Sequence, residues 1–155
     1  MSNLAQVMIS MADNGQPLNM SQVSRFSPEE FRMAIQALMG EDRDALAYAL
    51  GDAGLALYPD NEDILAITSL LSVVREDWAQ AVDLLQQLIE QQGDKATVFT
   101  HSMLIRALRS NLDLADAFTA AGYALTVFPN HPKLVKEYEA LADVMGLGAV
   151  RKEVN

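Results

Sequence analysis

The sequence contains no cysteine, which removes disulfides, thiolate zinc sites, iron–sulfur ligation and thiol nucleophiles in one step. Cations are also few: 11 Lys and Arg stand against 21 Asp and Glu, giving a formal charge of -10 at pH 7. So negative a chain repels phosphate backbones and anionic lipid, so neither nucleic acid nor membrane is expected as a partner. No apolar run reaches the ~18 residues of a membrane span, and the opening residues lack the basic and apolar regions of a secretory leader. The expectation is a soluble, cytoplasmic protein. The two histidines, His101 and His131, lie far apart in the chain and offer no metal-ligand spacing, so no metal is expected. No Gly-rich phosphate loop and no Ser/His/Asp set is suggested either, so the sequence is read as having no cofactor, no catalytic residues and no enzymatic activity.

What is present is helix-forming. Half of the 155 residues are hydrophobic, with only 8 Gly and 5 Pro, a composition of helices separated by short turns. Ser27-Pro28-Glu29-Glu30 combines an N-cap hydroxyl, a proline at the first helical position and a glutamate three residues after the cap, so a helix is expected from there to about Leu38. Further helices are expected at about 42–57, 62–74, 77–91, 96–109, 113–127 and 131–145. Connections this short make successive helices antiparallel. An earlier stripe, Leu4, Val7, Met8 and Met11, lies on one face of a helix over residues 2–12 and needs something to cover it: repeat one, or a second subunit in a homodimer.

The chain also carries an internal period. A spacing of 34 residues separates Ala47 from Ala81, Pro59 from Gly93, Phe31 from Leu65 and Leu65 from Phe99. From Ala81 to Ala117 and from Gly93 to Pro129 it becomes 36. That places two extra residues after Phe99, in the turn around Arg109-Ser110-Asn111, where a longer loop costs little.

A 34-residue helical hairpin with a bulky residue early in the first helix, small residues in the second and a terminal proline resembles a tetratricopeptide repeat. Phe31, Leu38, Ala47, Gly54 and Pro59 carry the likeness in repeat one (28–61), and Leu65, Ala81, Leu85 and Leu88 in repeat two (62–95). Phe99, Ala117, Ala121, Ala124 and Pro129 carry it in repeat three (96–131). The resemblance implies an all-α, tetratricopeptide-like α-solenoid: an N-terminal helical segment and linker (1–26), three repeats with a capping helix at 131–145 within a 27–146 domain, and a flexible tail (147–155). It also implies a groove lined by the first helices. The residues that fall toward this groove are Met33 and Gln36 in repeat one, Ile67, Leu70 and Val74 in repeat two, and Thr100, His101 and Leu104 in repeat three. Ile67, Leu70 and Val74 belong to a helix that is apolar around nearly its whole circumference, so they either floor a groove or are buried in the core.

Three segments are similar to narrower families. Gly15–Ser24 running into Ser27-Pro28-Glu29-Glu30-Phe31, and Val98–His101 with Leu114–Ala117, resemble small bacterial type III secretion chaperones; repeat one departs from them in having Gly40-Glu41-Asp42-Arg43-Asp44 at its turn. Arg75–Ala81 resembles a type III secretion accessory family. The resemblance implies a chaperone that covers a hydrophobic or amphipathic segment of a secretion component. The alternative is a structural or regulatory adaptor within a larger complex.

Overall fold

The structure, a computed structural model, describes residues 3–147. Beyond Leu147 the expected C-terminal tail lies outside the described residues. All regular structure among these residues is helical, and it forms two compact units that divide between Arg75 and Glu76. The division falls inside the stretch read as repeat two, so its two helices belong to different units.

The first unit holds α1 (Asn3–Asp13), α2 (Met20–Val23), α3 (Pro28–Gly40), α4 (Asp44–Leu57) and α5 (Glu62–Val74). Its centre is α3, which packs against α1, α4 and α5. The capping box expected at Ser27 forms in full: Ser27 Oγ accepts from the Glu30 amide at 3.2 Å and Glu30 Oε1 accepts from the Ser27 amide at 3.0 Å. Phe31, Ile35, Leu38, Leu50 and Ile64 are fully buried in one cluster, each worth roughly 1.5–3 kcal/mol of apolar burial. At Gly54 a Cβ would lie 3.2 Å from both Phe31 Cδ2 and Ile64 Cδ1, so the missing side chain is what lets α4 approach α3 and α5. In α5 the hydroxyls of Thr68, Ser69 and Ser72 are buried and donate to carbonyls of their own helix, so these polar residues enter the core satisfied.

The stripe on α1 is covered within this unit. Leu4 and Met8 join the same cluster as Phe31, Met11 is buried and Val7 is half-buried against it. Of the two covers open to that stripe, the unit itself supplies one: Leu4, Met8 and Met11 are buried within it.

The second unit holds α6 (Trp78–Gln92), a 3-10 turn (Gly93–Lys95), α7 (Val98–Ser110), α8 (Leu114–Val127) and α9 (Pro132–Val144). Here α7 is central, packed against α6 and α8, while α9 packs on α8. Ala117, Ala121 and Ala124 are fully buried on α8, the small residues that close helix packing allows.

The repeat is visible in the caps and turns. N-caps fall at Ser27, Asn61, Thr97 and His131, at spacings of 34, 36 and 34 residues. Left-handed residues end the turn after each of these helices: Asp42, Glu76 and Leu112 with φ of 59°, 57° and 65°, then Gly146 with 79°. The same spacings recur, so α9 holds the first-helix position of a further repeat. They also correct the sequence reading in one respect. The two extra residues lie before α7, between the start of α6 and Thr97, and not in the turn after Arg109. The reason is local: α6 runs one residue longer than α4, and Gly93, at φ 55°, starts a 3-10 turn that has no counterpart after α4.

Candidate functional site

With the helices aligned on their N-caps, Met33, Ile67 and Met103 occupy one register position of α3, α5 and α7. Gln36, Leu70 and Arg106 occupy a second, and Gly40, Val74 and Ser110 a third. In the first unit these places are largely open: Met33 is 45% exposed, Leu70 38% and Val74 56%, and Gln36 is exposed too. Ile67 is not, at 7%, and belongs to the unit's core cluster. The choice left open between groove and core therefore splits: Ile67 is core, whereas Leu70 and Val74 face outward from α5.

Repeat three differs from what its sequence suggested. His101 and Leu104 sit two residues short of the register of Met33 and Leu70, and Thr100 stands at that of Glu30 and Ile64. His101 is instead the counterpart of Phe31 and Leu65, and Leu104 that of Ala34 and Thr68, all core positions. Both are buried, His101 at 2% and Leu104 at 7%, and Thr100 is half-buried at the helix start, where its amide donates to Thr97 Oγ1. Phe99, read as a large core residue, is 59% exposed. The signal that would have prevented the slip was Thr97 itself, a cap residue preceding an apolar-periodic run.

His101 lies between the rings of Tyr123 and Phe128, at centroid distances of 5.9 Å to each. Its Nε2 has no hydrogen-bond partner, and burial pushes the imidazole below its ordinary pKa, favouring the neutral ring. Such a histidine is packed as an aromatic ring.

The corrected register brings other residues forward. In the second unit a cleft of about 510 Å³ is lined by Ile105, Arg106, Arg109 and Ser110 of α7, Leu114 of α8 and Glu137 of α9. Arg106 and Ser110 are the counterparts of Leu70 and Val74, so the places that are apolar on α5 are cationic and polar on α7. The Arg106 guanidinium lies 5.8 Å from the Trp78 ring centroid. Glu137 Oε2 is buried with no hydrogen-bond partner, and desolvation raises its pKa against the opposing pull of Lys133 and Arg109. Among the described residues, no group of three His, Asp or Glu is placed to hold a metal, and no helix is long and apolar enough to cross a membrane.

Comparison of the sequence with protein families and with curated proteins gives no match. Comparison of the structure with solved ones does. MamA AMB-1 superposes with a TM-score of 0.72 at 21% identity, over 94% of this chain and 82% of that one. MamA MSR-1 gives 0.71 at 20% identity, over 93% and 86%. MamA RS-1, as a double mutant, gives 0.69 at 15% identity, over 98% and 89%. The fold is tetratricopeptide-like. At these identities the likeness establishes the fold alone. Within that fold, α3 with α4 makes the first helical hairpin, α7 with α8 the third, and α9 follows as the terminal helix. None of these neighbours carries the type III secretion likeness.

Proposed function

We propose that this protein is a non-enzymatic protein-interaction module, acting as an adaptor that joins larger assemblies through the first helices of its repeats. The observation that carries the reading is the exposure of Met33, Leu70 and Val74 on α3 and α5 of one unit. Single exposed apolar residues are ordinary, but three on the first helices of one unit offer a partner places to bury its own apolar side chains, each worth roughly 1.5–3 kcal/mol. Methionine suits such a surface because its flexible thioether fits varied contacts. The module is assigned to residues 27–146, following the N-terminal segment 1–26.

A second reading, a cytoplasmic chaperone covering an apolar segment of a type III secretion component, rests on the short sequence resemblances alone. Co-expression with the products of neighbouring genes, followed by affinity recovery, separates the two. Incorporation into a large assembly supports the adaptor. Recovery of one small apolar export substrate in a one-to-one complex supports the chaperone.

A further inference from the structure

We propose that Met33 is a reversible oxidation site, at which a hydroperoxide converts the thioether to a sulfoxide and so turns the open face of α3 from apolar to polar. The proposal deepens the interaction-module reading and rests on it, because the property lost is the capture of a partner on that face. This sequence has no cysteine and 8 methionines, so thioethers are its only sulfur for an oxidant to meet. The structure sorts them. Met8, Met11 and Met103 are buried and Met39 is half-buried, whereas Met33, at 45%, is the most exposed methionine among the described residues, ahead of Met20 and Met145. Of these three, Met33 alone stands on the helices that carry Leu70 and Val74, the face assigned to a partner.

The neighbours of Met33 on its own side of α3 are Glu29, one turn before, and Gln36, one turn after, and both are exposed. A dissolved peroxide therefore reaches the sulfur through water. The sulfur lone pair attacks the terminal peroxide oxygen, and the S–O bond forms as the O–O bond breaks. The transferred hydroxyl gives its proton to the departing hydroxide or alkoxide, which leaves as water or an alcohol. Sulfur loses two electrons and the peroxide gains them. The product is a polar, chiral group on a side chain otherwise suited to adaptable apolar contacts. A methionine sulfoxide reductase reverses the step, its thiols becoming a disulfide and the oxygen leaving as water. Met8, by contrast, lies in the core cluster with Phe31, where a sulfoxide disrupts packing. Preference for Met33 over the buried methionines is what separates a switch from damage.

The test is limited treatment of the full chain with hydrogen peroxide, followed by proteolysis and mass spectrometry to read the gain of one oxygen at each methionine. Expected is oxidation of Met33 about tenfold or more faster than that of Met8, Met11 or Met103; comparable rates overturn the proposal. The change of face is read without a partner, as retention on a phenyl resin. The chain used carries Met20→Leu/Met145→Leu, which leaves Met33 the one exposed methionine among the described residues. Peroxide should shorten its retention with helical circular dichroism unchanged, and methionine sulfoxide reductases with dithiothreitol should restore it. Adding Met33→Leu, a swap of similar volume, should remove most of the effect. Met33→Gln, polar without any oxidant, should shorten retention by itself and leave peroxide little to add, which keeps the test open if the leucine variant folds poorly. Retention unmoved by oxidation, a shift undiminished in both Met33 variants, or a shift that comes only with loss of helical signal overturns the proposal. Leu70→Glu changes no methionine, so its failure to weaken partner capture counts against the adaptor reading alone, and resistance of Met33 to peroxide against this proposal alone.

Discussion

The imidazole of His101 meets the ring of Phe128 edge-on, with centroids 5.9 Å apart and planes at 73°. In the first unit Phe31 meets Tyr58 in the same way, at 5.8 Å and 81°. Phe31 and His101 are the same residue position of their respective first helices, and Tyr58 and Phe128 each cap the following second helix. One aromatic clasp therefore closes both hairpins, and in the second the phenyl ring has been replaced by an imidazole with an unpaired nitrogen.

That replacement predicts a gain from reversal. His101→Phe removes the orphaned Nε2 and should stabilise the protein by about 1–3 kcal/mol, read as a higher midpoint in urea. The pH dependence should change with it. Burial holds the folded-state pKa of His101 below the ordinary value of about 6.5, so below that value the unfolded chain binds more protons than the folded one. The stability that the neutral ring confers is complete above the ordinary pKa and declines as pH falls toward the folded one. In His101→Phe the melting temperature should fall less steeply on acidification than in the parent.

Leu70→Glu tests the open face of α5. With Leu70 38% exposed, the substitution should leave helical circular dichroism and the melting transition nearly unchanged while weakening partner capture roughly tenfold or more. Loss of cooperative melting would place Leu70 in the core and remove the face.

Leu112 is 84% exposed and holds φ at 65°. An L-residue with a bulky side chain pays roughly 1–2 kcal/mol for that conformation, and glycine does not. Leu112→Gly should therefore raise the thermal midpoint. If the midpoint falls instead, the side chain has a contact that matters.

Gly54 tests the helix approach. Its Cβ position is already crowded by Phe31 and Ile64, so Gly54→Leu should destabilise the first unit by about 1–3 kcal/mol through overpacking. Differential hydrogen exchange should place the loss in α3–α5, with α7 and α8 protected as before.

The sequence by itself determined the helices. Caps and prolines act within a few residues, so Ser27 with Glu30 and the proline signals could be read directly, and the 34-residue period named the hairpin. Tertiary structure alone decided the register of repeat three and which apolar residues stay open. An apolar side chain has the same transfer free energy wherever it stands, so Ile67 and Leu70 look alike in sequence, and only the packing of α3 and α4 against one side of α5 buries the first and leaves the second out. In the same way the offset shared by Leu65 and Phe99 carries no information about where two residues were inserted. The 3-10 turn at Gly93–Lys95 settles that, and with it the placing of Arg106 and Arg109, in the stead of His101 and Leu104, on the wall of a cleft.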